Sequence, residues 1–274
     1  MTDNNQRYVM DENEGELERL GQQHTLLHDA MGKLVFAPVD LSKPGRQILD
    51  SGTADGLWLR ELRDTTNASH TYIGVDINPA FFPKDLPSEI ELHVQSITND
   101  WPDHWRSRFD LVHQRLTLVG AGSSSVQSCV SKLADLASPG GYVELVEADF
   151  AGESSNGPAM EKFQALMGQF FDVIGVGSLL GRSLEAYLEG AGLVNGQQGV
   201  FIIPYGAANS NATLCESSIS QLVVALNGIW PLVNGRSASD SSAEHLESFR
   251  NELVSELRAR GANVRMVVAW AKKP

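Results

Sequence analysis

The stretch Ile48-Leu49-Asp50-Ser51-Gly52-Thr53-Ala54-Asp55-Gly56 decides the fold of this chain. Two apolar residues typical of a β-strand lead into an acid and then into a turn of small residues. A strand that passes into a helix within a few residues needs positions without a bulky Cβ, because the backbone must turn sharply and approach a ligand closely. Gly52 and Gly56 meet that need. The stretch therefore predicts a strand, a turn and a helix, with a nucleotide-like cofactor against the turn.

A second strand is predicted in Tyr72-Ile73-Gly74-Val75-Asp76-Ile77-Asn78-Pro79, which again ends in an acid. A carboxylate at such a strand end can accept hydrogen bonds from both hydroxyls of a ribose, which makes Asp76 the candidate. The glycine spacing differs from the dinucleotide fingerprint G-x-G-x-x-G, and this disfavours a nicotinamide dehydrogenase. Asp50 and Asp76 also fit as turn or helix-capping acids. Strand, turn, helix, strand and acid in one register favour a cofactor site.

Four further segments carry a family resemblance: Arg19-Leu20-x-x-Gln23-His24, Ile97-Thr98-Asn99-Asp100-Trp101-Pro102, Phe109-Asp110-Leu111-Val112-His113-Gln114-Arg115-Leu116 and Gly140-Gly141-Tyr142-Val143-Glu144-Leu145-Val146-Glu147. Together with the opening turn, they resemble the class I S-adenosylmethionine-dependent methyltransferases. The resemblance extends to the fungal methyltransferase-like proteins of secondary metabolism, which include gliotoxin-type N-methyltransferases and a global regulator. It covers residues 8–205.

The alternation of strand-like and helix-like segments independently predicts an α/β domain with a parallel sheet. The resemblance implies a Rossmann-like, seven-stranded class I methyltransferase sheet with helices on both faces and added lid helices. We expect a single domain over 1–274, with N-terminal cap helices in 1–40, a cofactor-binding core in 41–205, a helical insert or substrate cover in 206–262 and a last strand in 263–274. A plain peripheral insert is the alternative for 206–262. The first two strands end near Asp50 and at Asp76, and the later ones are predicted at Glu91–Val94, Phe109–Val112, Tyr142–Val146, Val200–Ile203 and Val264–Trp270.

The resemblance also implies which residues bind S-adenosylmethionine. Gly52, Thr53 and Gly56 would line its amino-acid part, Asp76 would hold its ribose and Ile77 would lie against its adenine. The full set of expected cofactor-binding residues is Tyr8, Asp50, Gly52, Thr53, Gly56, Asp76, Ile77, Ser96, Ile97, His113 and Gln114.

Two positions depart from the family pattern. Ser96 and Ile97 stand where related sequences carry an acid that bonds the adenine amino group. Ala54 replaces a motif glycine, and its methyl group would be strained if the position requires a positive φ.

His113 follows the predicted fourth strand and is the candidate catalytic base, because a neutral imidazole can take a proton from an attacking hydroxyl or amine. The alternative is a structural histidine or a cofactor contact. The same choice applies to Gln23 and His24, while Glu147 and Asp149 are alternative bases or substrate-orienting groups. Methyl transfer also proceeds by alignment of the nucleophile alone, so a base is not required.

Composition excludes several classes of protein. A net charge of −13 disfavours binding to nucleic-acid phosphates, which takes clustered Lys and Arg. The sequence lacks both a membrane-spanning apolar run and the features of a signal peptide, which predicts a cytoplasmic protein without a membrane partner. Cys129 and Cys215 form neither a disulfide framework nor a zinc cluster, so no metal is expected.

The sequence therefore predicts a cytoplasmic S-adenosylmethionine-dependent methyltransferase that acts on O or N of a small natural-product intermediate, with its oligomeric state open. A catalytically silent regulatory protein is one alternative. An enzyme that binds the cofactor and catalyses a non-methylating reaction such as a cyclisation is the other.

Overall fold

The computed structural model of the protein describes residues 14–152, 155–234 and 240–274, so the predicted site residue Tyr8 lies outside the described residues. The helices are α1 (Glu14–Met31), α2 (Leu57–Thr65), α3 (Val126–Leu136), α4 (Pro158–Ile174), α5 (Leu184–Gly190), α6 (Ala212–Val233) and α7 (Asp240–Ala259). The strands are β1 (Gln47–Ser51), β2 (Thr71–Asp76), β3 (Ile90–Val94), β4 (Phe109–Arg115), β5 (Ala137–Asp149), β6 (Val194–Tyr205) and β7 (Ala262–Lys272).

The strands form a seven-stranded sheet in the order β3-β2-β1-β4-β5-β7-β6, and the pairs β2–β3, β1–β2, β1–β4 and β4–β5 are parallel. The chain moves outward in one direction from β1 through α2 to β2, and in the opposite direction from β4 through α3 to β5. Because such crossovers are right-handed, α2 and α3 lie on opposite faces of the sheet. The predicted class I methyltransferase sheet is confirmed.

Strand β4 is longer than predicted, and the expectation that His113 follows it is wrong. His113 pairs with Asp50 of β1 on one side and with Glu144 of β5 on the other, and Gln114 pairs with Ser51. A central strand is hydrogen-bonded through its backbone on both sides, so polar side chains do not end it. The apolar run Phe109–Val112 therefore marked only the first part of the strand.

Strand β5 begins before the predicted boundary as well. It starts at Ala137 rather than at Tyr142, and so contains Ser138-Pro139-Gly140-Gly141. Its register with β4 shifts between Phe109 and Leu111, and the Ser138 hydroxyl donates to the carbonyl of Phe109 at 3.1 Å. A bulge of this kind accommodates Pro and Gly in a paired strand, because the extra residue is left out of the ladder.

Helix α1 lies within the segment 1–40 that was predicted to hold cap helices. The spacing of Leu17, Leu20, His24, Leu27 and Met31 by three and four residues indicates one inward face. His24 and Leu27 are buried, whereas Leu17, Leu20 and Met31 are half-buried. Glu16 and Leu26 are buried as well, and Glu16 is paired with Arg19 at 2.7 Å.

The chain divides into two compact units. The first takes the chain up to Gly32 together with Ala148–Leu180 and Phe201–Met266, and it holds α1, α4, α6 and α7. The second takes Lys33–Glu147, Gly181–Val200 and Val267–Pro274, and it holds β1 to β4, α2, α3 and α5. The single-domain organisation inferred from the sequence stays a prediction. Within the described ranges, no helix combines the length and apolar character that crossing a bilayer takes.

Candidate active site

The predicted site residues gather at the carboxyl edge of the parallel strands, in the second unit. Strand order reverses between β1 and β4, and ligands in open α/β sheets bind at such a point. The structure places these residues in the last part of β1, β2 and β4 or in the segments that follow β1, β2 and β3: Asp50, Gly52, Thr53, Gly56, Asp76, Ile77, Ser96, Ile97, His113 and Gln114.

The turn after β1 has three residues with positive φ: Gly52 at 79°, Ala54 at 50° and Gly56 at 78°. A methyl group at Gly52 would lie 2.0 Å from Oγ1 of Thr117, so that side chain occupies the space that glycine leaves. Ala54 adopts the left-handed region despite its Cβ, which costs about 1 to 2 kcal/mol. The strain anticipated for this departure from the family pattern is present.

Asp76 joins the end of β2 to this turn. Its Oδ2 accepts the backbone N–H of Ala54 at 2.9 Å and its Oδ1 accepts that of Asn78 at 3.0 Å. Each carboxylate oxygen has a second lone pair, so Asp76 retains the capacity to accept two hydroxyls. Burial raises the pKa of the Asp76 carboxyl above its ordinary value, while the backbone N–H donors act in the opposite direction.

The residues expected around the adenine differ from one another in exposure. Ile77, directly after β2, is 38% exposed, so its side chain is accessible to a ligand. Ile97 is buried. Ser96 lies 2.9 Å from the hydroxyl of Thr98 and accepts the Thr98 backbone N–H at 3.2 Å, so its hydroxyl shapes the local turn.

His113 lies inside the sheet rather than at a free strand end. Its Nδ1 is 2.8 Å from Oδ1 of Asp50, and its ring stacks on Trp58 of α2 with centroids 3.9 Å apart and planes at 1°. Glu144 follows on the next strand, where its Oε2 accepts the backbone N–H groups of Phe36 and Ala37. Desolvation raises the pKa of Glu144. These contacts give His113 a supporting position behind the turn.

The alternative bases are also engaged in structural contacts. Oε1 of Glu147 accepts the backbone N–H of Leu118 at 2.8 Å, and desolvation raises the pKa of Glu147 to about 8. Asp149 accepts from Arg265 at 3.1 Å and from the backbone of Ala151 at 3.1 Å. His24 is buried on α1 in the first unit.

Several buried polar atoms near the strand ends have no hydrogen-bond partner among the described residues: Oγ of Ser51, Oγ1 of Thr53, Nδ2 of Asn78, and both Oε1 and Nε2 of Gln114. Leaving a buried donor or acceptor unsatisfied costs about 1 to 3 kcal/mol. Ser51 and Gln114 are register partners on neighbouring strands, so their side chains share one face of the sheet. Such a group of unpartnered atoms fits a polar ligand bound at this edge.

Comparison with known proteins identifies the family. A family profile described as a methyltransferase domain matches residues 23–198. The N-methyltransferase sirN of Leptosphaeria maculans is 35% identical over 97% of this chain and 95% of its own length. The N-methyltransferase gliN of Aspergillus fumigatus is 31% identical over 100% of this chain and 99% of its own.

The chain belongs to the methyltransferase family. As the expected fold and resemblance indicated, it is an S-adenosylmethionine-dependent methyltransferase.

Two solved structures share its fold. A chain of the complex between the Haloferax volcanii Trm112 methyltransferase activator and a methyltransferase has a TM-score of 0.54 at 14% identity, covering 100% of both chains. Phosphoethanolamine N-methyltransferase 2 of Haemonchus contortus was solved with phosphomonomethylethanolamine and S-adenosylhomocysteine. It has a TM-score of 0.50 at 12% identity, and the match covers 93% of this chain and 53% of the Haemonchus chain.

Sequence reasoning missed three residues of this edge. Ser51 occupies the last position of β1 and has no motif of its own. Asn78 caps a short 3₁₀ turn by accepting the N–H of Ala80 at 3.1 Å, and the following Pro79 was its signal. Thr117 left no signal beyond the requirement for glycine at position 52.

Proposed function

We propose that this methyltransferase transfers a methyl group to a nitrogen, or else an oxygen, of a small natural-product intermediate in fungal secondary metabolism. The relatives sirN and gliN are named N-methyltransferases and align over nearly the whole chain, which supports nitrogen over oxygen. We infer a cytoplasmic location, as expected from the sequence.

The unpartnered buried atoms of Ser51, Thr53, Asn78 and Gln114 carry the proposal that the cofactor binds at the turn. S-adenosylmethionine, when bound, supplies an electrophilic methyl group on a sulfonium. Asp76 accepts hydrogen bonds from the hydroxyl groups of the cofactor and from the backbone N–H of Ala54, so it holds both the ligand and the turn. Gln114 offers one donor and one acceptor to a polar group at the end of β4.

In this proposal His113 supports the turn and does not touch the methyl acceptor. Its Nδ1 position is taken by Asp50, and its ring face is covered by Trp58. This arrangement supports a role in holding Asp50, the residue that leads into Gly52. Alignment of the acceptor then supplies most of the rate, and a reacting pair about 3 to 3.5 Å apart suffices for that.

Calorimetry with S-adenosylhomocysteine tests the cofactor site. We expect binding to the wild type and a loss of at least about 30-fold in affinity for Asp76→Ala, because about 2 kcal/mol of charge-assisted hydrogen bonding is removed. The matched control is Asp64→Ala, which removes an exposed acid near the end of α2. Absence of binding to the wild type, or equal affinities for wild type and Asp76→Ala, would contradict the proposed site.

Incubation with isotope-labelled S-adenosylmethionine and a panel of amines, amides and phenols tests the acceptor. A labelled product of one added methyl group, with the label on nitrogen by fragmentation, is the expected outcome. Binding of the cofactor without transfer to any acceptor would favour the silent regulatory protein. Conversion of an acceptor to a product of unchanged mass would favour a cyclisation.

A further inference from the structure

The side chain of Thr117 lies against the turn after β1 at Gly52, which has no side chain. A Cβ placed on Gly52 would meet Oγ1, Cγ2 and Cβ of Thr117 at 2.0, 2.8 and 2.9 Å. Three atoms of one side chain therefore occupy the notch that Gly52 leaves. Any shift of Thr117 removes the surface on which the Gly52 backbone rests.

Thr117 is fixed by contacts of its own. Its hydroxyl donates to the carbonyl of Arg115 at 2.9 Å and lies 3.5 Å from that of Ser51. The residue before it, Leu116, has a φ of 54°, a region that a leucine adopts at a cost of about 1 to 2 kcal/mol. A backbone in this conformation persists only where its surroundings hold it.

Glu147 provides that hold from the neighbouring strand. It is 1% exposed, and its Oε1 accepts the N–H of Leu118 at 2.8 Å. The backbone N–H of Thr117 also lies towards this carboxyl and acts to lower its pKa. The Leu116 N–H is bonded to the carbonyl of Val146 at 2.8 Å. The strained segment after β4 is thus tied to β5 by one backbone bond and by one carboxyl group.

We propose that Glu147 is a positioning residue for cofactor binding: through the backbone N–H of Leu118, the residue after Thr117, it holds the Thr117 side chain in the notch at Gly52 and so sets the shape of the turn. Glu147 does not touch the ligand in this arrangement. The positioning role replaces the role of base or substrate-orienting group that the sequence suggested for Glu147. The inference rests on the proposed binding of S-adenosylmethionine at that turn.

The test measures S-adenosylhomocysteine affinity by calorimetry in four variants. Glu147→Gln keeps an amide oxygen as the acceptor, so its affinity stays within about twofold of the wild type. Glu147→Leu removes the acceptor and weakens binding about tenfold, and Thr117→Ala weakens it by a similar factor. In the double variant the two losses do not multiply, because both act through the same contact.

A matched control separates this role from general destabilisation. Thr66→Ala removes a hydroxyl that donates to the carbonyl of Arg63 at 3.1 Å at the end of α2, and it lowers stability without changing affinity. Normal affinity in Thr117→Ala overturns the inference even if Glu147→Leu does not fold. Multiplying losses in the double variant overturn it as well. If the wild type binds and Asp76→Ala does not, while the Glu147 and Thr117 variants bind normally, this inference fails and the proposed function stands.

Discussion

Replacement of Glu147 by glutamine should change how the stability of this protein depends on pH. Burial raises the pKa of this carboxyl from 4.5 to about 8, so between those values the native protein holds a proton that the unfolded chain has released. Stability therefore falls as the pH rises through this window, and levels off above pH 8. Glutamine has the shape of the protonated acid and does not titrate, so its variant lacks this loss.

The size of the effect follows from the pKa difference. About 3.5 pH units, at about 1.4 kcal/mol per unit, correspond to about 5 kcal/mol over the whole window. Because the isoelectric point is near 4.9, the accessible range starts at about pH 6, where the protein carries enough charge to stay dissolved. Between pH 6 and pH 8, where the carboxyl becomes half-ionised, the free energy of unfolding of Glu147→Gln should rise relative to the wild type by about 2 kcal/mol.

Urea unfolding followed by far-ultraviolet circular dichroism at pH 6, 7, 8 and 9 measures this difference. Glu144 and Asp76 also have raised pKa values, but they are present in both proteins and cancel in the comparison. The control is Glu189→Gln, an exposed position on α5, whose profile should run parallel to that of the wild type. A difference between Glu147→Gln and wild type that stays constant within about 1 kcal/mol from pH 6 to 8 would refute the reasoning.

Three further substitutions probe the same region, each by urea unfolding. Gly52→Ala should destabilise the protein by about 2 to 4 kcal/mol, because it adds left-handed strain and a clash with Thr117. Adding Thr117→Gly to that variant should recover part of the loss. No recovery would contradict the claim that the Thr117 side chain occupies the space at Gly52. Ala54→Gly should stabilise it by up to about 1 kcal/mol, since the strain relieved exceeds the added chain entropy, and a clear destabilisation would count against this account of Ala54. His113→Phe keeps a ring against Trp58 but leaves Asp50 buried without its partner, so it should cost about 3 kcal/mol, whereas a neutral effect would show that the pair contributes little.

Much of the fold was predictable because strand and turn signals coincided. In β1 and β2 an apolar run ended at an acid and a small-residue turn, and the observed strands end at Ser51 and Asp76. In α3, Val126, Val130 and Leu133 follow one another at spacings of four and three, which predicts one inward face, and all three are buried. Where local signals were mixed, the boundaries were wrong, since β4 continues through polar residues that only its pairing with two neighbours explains.

For the candidate site, the sequence predicted which segments with motifs take part, but not the contacts between them. Asp76 and the turn at Gly52 were found from residue type and spacing, and the structure brings them into contact through Ala54. The part played by Thr117 and Glu147 depends on a contact between the segment after β4 and strand β5. No local sequence pattern encodes such a contact between distant segments, and only the folded structure brings them together.

The row of polar residues across the middle of the sheet has a consequence for how the strands align. Asp50, His113 and Glu144 occupy one line over β1, β4 and β5. Side chains of a strand alternate between the two faces of the sheet. A shift of β4 by one residue would therefore move His113 to the opposite face and leave the buried carboxyl group of Asp50 without its hydrogen-bond partner. The row therefore fixes the register of β4 against β1 and β5. It keeps the ends of β1 and β4 level, and with them the two loops between which a ligand must fit.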